Sequence, residues 1–216
     1  MIDLKLGPTK EGPLKVLCLG AHSDDIEIGC GGAVLRLIHD YSGVRFHWVV
    51  FSAAGVRKQE AQQAAELFAG KHIESLLLHD FRDGFMPFNG SAVKEVFERL
   101  KQEISPDVIF THQPHDAHQD HRLLSELTWN TFRNHFVLEY EIPKYDGDMG
   151  RPSVFMPLPT EIVQLKVRHL MQAFGSQRSK HWFDEATFQA LPRLRGMECN
   201  APSGYAEAFY CRKAVI

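Results

Sequence analysis

Short apolar runs alternate with amphipathic segments along most of the chain. The run Leu14–Leu19 is almost entirely apolar, which is typical of a strand buried on both faces. Similar runs predict further strands at Val44–Ser52, Ile73–Leu78 and Val108–Thr111. Segments with apolar residues at helical spacing predict helices at Ala33–His39, Arg57–Ala69, Ser91–Ile104, Arg122–His135 and Glu161–Phe174.

Glycine and serine mark where several of these elements begin and end. The cluster Gly29–Gly32 is expected to lead into the first predicted helix. Gly70 is well suited to end the second helix, and Ser91 can cap the third. The C-terminal third is less regular and predicts a strand at Glu139–Lys144, a loop over residues 145–152 and a final strand at Ala206–Val215.

Strands and helices that alternate in this way favour right-handed βαβ units. They predict an α/β protein of three-layer, Rossmann-like architecture, in which a mostly parallel sheet has helices on both faces. The sequence contains no internal repeat, low-complexity tract or linker rich in proline and serine. We therefore expect residues 1–216 to form a single domain.

Two segments rich in histidine and aspartate follow predicted strands. The segment Gly20–Asp25 comes directly after Leu14–Leu19, and Asp116–His121 comes shortly after Val108–Thr111. In an open parallel sheet, the loops beyond the carboxyl ends of the strands form the binding crevice. Two histidines and two aspartates that converge there can hold a divalent metal and leave one carboxylate free to act as a base.

Each segment taken alone also has an ordinary structural explanation. An aspartate such as Asp24 often caps a helix, and a pair such as His118 and His121 often lies in a solvated turn. Dinucleotide binding is disfavoured because two carboxylates stand between the first strand and the glycine cluster, and they would repel a pyrophosphate. Solvated turns explain poorly why two such segments follow strands of one sheet, so a metal site is the favoured interpretation.

Composition narrows the range of partners and locations. The formal net charge is −3, so no basic field points to nucleic acid or to an anionic membrane surface. No apolar run is long enough to span a bilayer, and residues 1–8 lack the pattern of a signal peptide. The four cysteines form no CxxC pair, which fits a reduced protein. We therefore expect a cytoplasmic protein.

The two segments together resemble the motifs of the PIG-L/LmbE-like family of zinc-dependent N-acetylglucosaminide-type deacetylases. The family's Ala-His-Pro-Asp-Asp stands here as Ala21-His22-Ser23-Asp24-Asp25, and its His-Pro-Asp-His stands as His118-Gln119-Asp120-His121. The glycine stretch Gly29–Gly32 and the segment Ala206–Phe209 also look like that family. The resemblance extends in order and spacing over most of the chain.

The resemblance implies an activity and a role for each motif residue. The implied activity is removal of the N-acetyl group from an amino sugar or an amino-sugar conjugate. The implied ligands of one Zn²⁺ ion, or of another divalent metal, are His22, Asp25 and His121. The implied catalytic residues are Asp24 as general base, His118 as general acid or oxyanion stabiliser, and Asp120, which orients His118.

General chemistry is consistent with these roles. Three protein ligands leave an open position on zinc, which is characteristic of a catalytic site. Zinc lowers the pKa of a bound water from about 15.7 to about 7, and an adjacent carboxylate can take its proton. An acid such as His118 can then protonate the amine as it leaves.

Some positions depart from the family pattern. Ser23 and Gln119 replace prolines that shape turns rather than take part in the chemistry. Some relatives carry a tyrosine that contributes to the oxyanion site two residues before the equivalent of His118, where this chain has Asp116. The sequence leaves open whether another tyrosine takes its place; the candidates are Tyr140, Tyr145 and Tyr205.

Arg57 and Asp83 are the candidate substrate-binding residues, because both follow predicted strands at the edge where the crevice is expected. Arg57 can bind a hydroxyl or a phosphate, and Asp83 can accept hydrogen bonds from hydroxyls. Each is explained equally well as an ordinary residue of a helix start or a turn. His112 and His115 are interpreted as loop or supporting histidines rather than as ligands.

Two other functions compete with the sugar deacetylase. One is a metal-dependent amidohydrolase that acts on a non-sugar N-acyl substrate. The other is a non-catalytic module that binds metal or sugar, and the spare carboxylate of Asp24 argues against it. The expected partner is a small-molecule N-acetylated sugar or glycoconjugate, with no nucleic acid and no membrane. The sequence is also compatible with a homo-oligomer.

Overall fold

A computed structural model describes residues 5–7 and 12–215. The prediction that residues 1–8 are not a signal peptide concerns a segment of which only residues 5–7 are described. No helix in the described part of the chain is long and apolar enough to cross a membrane.

The strands are β1 (Lys15–His22), β2 (Arg45–Ser52), β3 (Ile73–Leu78), β4 (Val108–His112), β5 (Phe136–Tyr140), β6 (Val154–Pro157) and β7 (Ala206–Tyr210). The α-helices are α1 (Asp25–Asp40), α2 (Val56–Phe68), α3 (Gly90–Glu103), α4 (Gln119–Thr131), α5 (Thr160–Ala173) and α6 (Glu185–Glu198).

The strands form one sheet in the order β3-β2-β1-β4-β5-β7-β6. The strands β1 to β5 run parallel to their neighbours among themselves, whereas β7 is antiparallel to both β5 and β6. The prediction of an α/β protein with a mostly parallel sheet is therefore confirmed.

Successive residues of β1 pack on opposite faces of the sheet. Val16 and Cys18 belong to an apolar core that also contains side chains of α1, α2 and α5. Leu17 and Leu19 belong to a second core, formed with α3 and α4. Because both faces of the strand are covered by helices, it reads in the sequence as a nearly continuous apolar run. The predicted three layers are thus confirmed.

The arrangement of the central strands decides where a site can form. β1 pairs with β2 on one side and with β4 on the other, so the direction of winding changes between β1 and β4. At such a switch point the loops that follow the two strands diverge and leave a crevice at the carboxyl edge of the sheet. His22 is the last residue of β1, and residues 113–118 connect β4 to α4. The two predicted motifs therefore lie side by side.

The glycine cluster lies inside α1 and not ahead of it, because α1 begins at Asp25. A Cβ at Gly29 would collide with the ring of Tyr140, and a Cβ at Gly31 would lie 2.6 Å from Phe68 Cε1. These glycines are therefore explained by close packing of α1 against its neighbours. The helix is interrupted at Cys30, whose backbone (φ −140°, ψ 16°) is not helical.

Other predicted boundaries also need correction. β5 spans Phe136–Tyr140 rather than the predicted Glu139–Lys144. The final strand ends at Tyr210 rather than at Val215. Ser91 does not cap α3, because the helix already begins at Gly90. β6 and α6 were not predicted, since β6 has only four residues and α6 contains Pro192, a residue that disfavours helix interiors.

Candidate metal centre and active site

Three donor atoms from β1, α1 and α4 meet at the carboxyl edge of the sheet. His22 ends β1, Asp25 begins α1 and His121 lies in the first turn of α4. His22 Nδ1 is 3.3 Å from Asp25 Oδ2 and 3.1 Å from His121 Nε2. Asp25 Oδ2 is 3.4 Å from His121 Nε2. The fold thus brings the three predicted metal ligands to one point.

The spacing of these atoms suits a tetrahedral zinc ion. Zinc binds imidazole nitrogen and carboxylate oxygen at about 2.0–2.2 Å, so two ligand atoms at a tetrahedral angle lie about 3.3–3.5 Å apart. The observed separations of 3.1, 3.3 and 3.4 Å are close to that value. Two imidazole nitrogens and one carboxylate oxygen are also a donor set that zinc accepts.

Asp116 holds the ring of His121 from the side away from these donors. Its Oδ2 is 2.9 Å from His121 Nδ1, and its Oδ1 is 3.0 Å from Lys144 Nζ. Burial opposes the charged carboxylate, but His121 and Lys144 outweigh it and hold the pKa of Asp116 well below its usual range. An ionised carboxylate at Nδ1 keeps the proton on that nitrogen, so Nε2 is left with a free lone pair.

Two further carboxylates face the other ring nitrogen of His22. His22 Nε2 is 3.0 Å from Asp83 Oδ1 and 3.4 Å from Asp120 Oδ2. The buried carboxylate of Asp120 also accepts hydrogen bonds from the backbone N–H groups of Gly84 and Met86. Burial opposes the charged imidazole, but the surrounding carboxylates outweigh it and raise the pKa of His22 well above its ordinary value.

His112, the last residue of β4, lies beneath the cluster. Its Nε2 is 3.2 Å from Asp25 Oδ2, 3.1 Å from the backbone nitrogen of Ala21 and 3.2 Å from the hydroxyl of Tyr140. Complete burial, followed by the charge of His121, lowers the pKa of His112 to about 4. His112 is therefore neutral near pH 7, and it contacts the Asp25 carboxylate without adding a charge.

Asp24 directly precedes α1 and turns its carboxylate towards α2. It occupies the N-cap position, yet its side chain makes no capping hydrogen bond. Instead, Asp24 Oδ1 is 2.8 Å from Arg57 Nη2, and Arg57 Nη1 is 2.8 Å from Glu60 Oε2. The Arg57 guanidinium also lies 5.4 Å from the centre of the Phe174 ring. The candidate base and one candidate substrate-binding residue are thus in direct contact.

His118 is the N-cap residue of α4. Its Nδ1 accepts a hydrogen bond of 3.3 Å from the backbone N–H of Asp120, so Asp120 contacts the imidazole through its main chain. The His118 ring centre lies 4.7 Å from those of both His22 and His121. Its side chain is 32% exposed, against 16% for His22 and 3% for His121. Burial, followed by the charges of those two histidines, lowers the pKa of His118.

Of the three tyrosines considered for the oxyanion site, Tyr140 already has fixed partners. It is buried, its hydroxyl donates to the Leu19 carbonyl at 2.6 Å, and it contacts His112. Tyr205 lies beside Arg193, whose guanidinium is 5.8 Å from its ring. Tyr145 is 66% exposed and follows Lys144 directly, so it lies on the loop that reaches Asp116.

Some residues that hold the site together could hardly be recognised from the sequence motifs. Asp116 has a usable signal, because it lies within the second segment, next to the histidines. Lys144 and Glu60 have none, since they come from the loop after β5 and from α2, and only folding brings them to Asp116 and Arg57.

Comparison with known proteins identifies the family. The family profile "PIG-L: GlcNAc-PI de-N-acetylase" matches residues 17–132, which include both motifs and more than half of the 216 residues. The chain belongs to this PIG-L family. The resemblance stated from the sequence motifs is thereby confirmed, and with it a deacetylase family as the context for this site.

Relatives of this PIG-L family chain include proteins that are named as deacetylases. The diacetylchitobiose deacetylase of Thermococcus kodakarensis is 26% identical over 137 residues, which are 56% of this chain and 50% of that protein. The chain therefore matches about half the length of this relative. The structure of N,N′-diacetylchitobiose deacetylase from Pyrococcus horikoshii superposes with a TM-score of 0.70 at 21% identity, covering 91% of this chain and 83% of that one.

The PIG-L fold is not restricted to deacetylases. GalB, the 4-carboxy-2-hydroxymuconate hydratase from Pseudomonas putida KT2440, superposes with a TM-score of 0.69 at 20% identity, covering 94% of this chain and 98% of that one. The fold by itself therefore does not decide the reaction, which has to be argued from the site.

Proposed function

We propose that this chain is a zinc-dependent N-deacetylase that removes the acetyl group from an amino sugar or an amino-sugar conjugate. The observation that carries the proposal is the triangle formed by His22 Nδ1, Asp25 Oδ2 and His121 Nε2, with sides of 3.1, 3.3 and 3.4 Å. Three donors leave one position of a tetrahedral metal for water and substrate. Asp24 directly precedes the corner residue Asp25, and its own carboxylate forms no corner of the triangle.

The metal ligands in this proposal are His22, Asp25 and His121. Zinc bound there would lower the pKa of water to about 7 and polarise the acetyl carbonyl. His112 is a poorer candidate for a ligand, because its Nε2 is within hydrogen-bond distance of Ala21 and Tyr140. His118 is also poorer, since its Nδ1 already accepts the backbone N–H of Asp120.

Asp24 is proposed as the general base that takes the proton of the attacking water. It is adjacent in sequence to the ligand Asp25, and its side chain is only 8% exposed. Arg57 fixes one carboxylate oxygen, Oδ1, which leaves the other for the water. A positioned acid–base group of this kind contributes about 10²–10⁴-fold to the rate.

His118 is proposed as the group that protonates the leaving amine and stabilises the oxyanion. It is the most exposed of the three histidines of the cluster, and its backbone contact with Asp120 fixes the ring. Because Nδ1 accepts that hydrogen bond, Nε2 carries the proton in the neutral ring and can donate a hydrogen bond to the oxyanion. Protonation of the amine requires the imidazolium, so Nδ1 must first take up a proton in place of the hydrogen bond from the Asp120 N–H. Asp120 thus serves as the orienting residue.

Arg57 and Asp83 are proposed to contact sugar hydroxyls. Asp83 is 72% exposed at the rim of the site, 3.0 Å from the ligand His22. The curated relative and the solved structure that carry the name diacetylchitobiose deacetylase support an N-acetylated sugar as the substrate. A site built to pair hydroxyls strongly rejects analogues that lack them, which would separate sugars from simple N-acyl compounds.

The test is acetate release by the full chain, after chelation and after reconstitution with zinc. The substrates are N,N′-diacetylchitobiose, N-acetylglucosamine and an N-acetyl amino acid. We expect hydrolysis of a sugar substrate that is lost with chelator and restored by zinc. Preference for the amino acid would establish the amidohydrolase alternative, and zinc binding without hydrolysis of any amide would establish a binding module. Hydrolysis that survives complete metal removal would refute the proposed mechanism.

A further inference from the structure

A buried ion pair from two distant elements contacts the interruption in α1. Lys166 of α5 and Glu207 of β7 are 3% and 5% exposed, and Lys166 Nζ is 2.6 Å from Glu207 Oε1. Both residues lie outside the cluster of histidines and aspartates described above. Charged groups of this kind are rarely buried unless all their hydrogen-bonding capacity is used.

The pair binds backbone groups on both sides of the interruption at Cys30. Glu207 accepts hydrogen bonds from the backbone N–H groups of Gly32 at 2.8 Å and Ala33 at 2.6 Å. Lys166 donates to the carbonyl oxygen of Ile28 at 2.6 Å. In a regular α-helix the Gly32 N–H would donate to the Ile28 carbonyl. The ion pair therefore gives both groups of this backbone hydrogen bond a side-chain partner at the kink.

The interruption leaves a very short N-terminal piece of α1. This piece runs over residues 25–29, little more than one helical turn, and so short a helix is not stable without tertiary contacts. A lysine at its last carbonyls and a glutamate at the first N–H groups of the following piece both match the helix dipole. The ion pair thus holds the short N-terminal piece of α1 in a fixed position relative to the rest of the helix.

The short piece of α1 carries the chemistry of the proposed site. Asp25 is its first residue, and Asp24 precedes it. The backbone N–H of Ile28 donates to the Asp24 carbonyl at 3.0 Å, while the carbonyl of the same residue is held by Lys166. One turn of helix therefore connects the ammonium group to the candidate metal ligand and the candidate base.

We infer that Lys166 and Glu207 are positioning residues, which fix the N-terminal turn of α1 so that Asp25 and Asp24 stand at the correct distance from His22 and His121. The inference rests on the proposed function, and it assigns a purpose to the interrupted helix. The carboxylate is one of two close neighbours of Gly32, since a Cβ there would lie 2.5 Å from Leu158 Cδ1 and 2.7 Å from Glu207 Oε1.

The test is the double variant Lys166→Met with Glu207→Gln in the full chain, because it removes both charges and leaves neither buried without its partner. Cobalt replaces zinc as a spectroscopic probe, so the affinity and the absorption spectrum report the ligand geometry without any substrate. We expect metal affinity at least about 10-fold weaker and an altered cobalt spectrum, as for other residues that orient ligands. At saturating metal, kcat should fall while KM stays within about 3-fold, and Lys166→Arg should retain more of both properties.

The matched control is Arg195→Met with Glu141→Gln. Arg195 Nη2 and Glu141 Oε2 form another buried pair at 2.8 Å, between α6 and the residue that follows β5. Within the described residues, the hydrogen bonds of this pair are to each other and to Glu198, Gly150 and Tyr210, and none is to α1. We expect the control to lose thermal stability and to keep wild-type metal affinity.

Wild-type metal affinity, spectrum and kcat in a folded double variant would overturn the inference, and so would an equal loss of metal affinity in the control. Where the double variant does not fold, Gly32→Ala perturbs the same carboxylate and is judged by the same readouts. The metal measurements need no turnover, so they decide the inference even if the wild-type chain hydrolyses none of the amides and the proposed function fails.

Discussion

Asp24 Oδ1 and Arg57 Nη2 are 2.8 Å apart, in an ion pair that joins the start of α1 to α2. The same guanidinium contacts Glu60 at 2.8 Å, and Glu60 in turn accepts hydrogen bonds from the backbone N–H and the hydroxyl of Ser176. A chain of three charged groups therefore leads from the candidate base to the segment that follows α5. Arg57 therefore holds the candidate base, in addition to its proposed contact with the substrate.

Replacing Arg57 with lysine tests this double role. Lysine keeps the charge but cannot reach Asp24 and Glu60 simultaneously with a planar fork. We expect kcat to fall by about 10-fold or more, in addition to any rise in KM, because the carboxylate of Asp24 loses its fixed orientation. Steady-state kinetics on the preferred substrate provide the measurement. A rise in KM with unchanged kcat would restrict Arg57 to substrate binding.

Asp24→Asn separates proton transfer from metal binding. The amide keeps the size of the side chain but cannot accept the proton of the attacking water. We expect a metal content equal to that of the wild type and a kcat lower by at least about 10²-fold. Metal analysis and acetate release are to be measured on the same preparation. Loss of metal would make Asp24 a ligand, whereas near-normal turnover would remove the base from the proposed mechanism.

His121→Ala tests the metal site itself. The variant removes one corner of the triangle formed with His22 and Asp25, so stoichiometric metal should be lost. His39→Ala is the control, because His39 is an exposed histidine in the last turn of α1 whose Nδ1 lies 2.9 Å from Asp40 Oδ1. Undiminished metal content in His121→Ala would contradict the ligand assignment.

Asp116→Asn tests how the proposed ligand His121 is oriented. The variant removes the anion that keeps the proton on His121 Nδ1, and we expect metal affinity to fall by about 10–100-fold with the fold intact. Asp148→Asn is the matched control, because Asp148 also contacts Lys144, at 2.5 Å, but not His121. Competition with a chelator measures both affinities, and an equal effect of the two variants would assign the role to Lys144 instead.

The contacts of the Glu60 carboxylate lead us to expect that the free energy of unfolding depends on pH. Burial raises the pKa of its carboxyl, but Ser176, and after it Arg57, outweigh burial and lower this pKa below the ordinary value. A lowered pKa in the folded state means that the stabilisation is complete above the unfolded-state pKa of about 4.3 and is lost as the pH falls through the folded-state pKa. Glu60→Gln should therefore cost about 1–3 kcal/mol near pH 7, and the difference from the wild type should shrink below pH ~4.

Chemical denaturation of both chains across this pH range provides the comparison for Glu60. Glu98→Gln serves as the control, because Glu98 is an exposed residue whose carboxylate contacts Lys94 on the surface of α3. A stability difference between Glu60→Gln and the wild type that stays constant from pH 7 to pH 3 would contradict the prediction.

Much of the fold and of the candidate ligand set could be predicted from the sequence. A strand covered by helices on both faces needs an apolar run, so β1 to β4 are visible as such runs, and their alternation with helices indicates a mostly parallel sheet. The motif residues His22 and Asp25 are three positions apart, and a single turn can aim both side chains at one point. The assignment of residues 1–216 to one domain, the cytoplasmic location and the oligomeric state stay predictions.

The tertiary structure alone decided how these residues are held. Lys144, Glu60 and Glu207 reach the site or its supporting helix from elements far away in sequence, and no local pattern marks a contact of that kind. The glycines of α1 are similar in this respect. Read along the chain they indicate a turn ahead of a helix, whereas the rings of Tyr140 and Phe68 pack where side chains would otherwise stand. The periodicity of a sequence indicates which residues are buried, and its short motifs show how ligands are spaced along the chain. Which distant segments approach each other closely depends instead on packing in three dimensions.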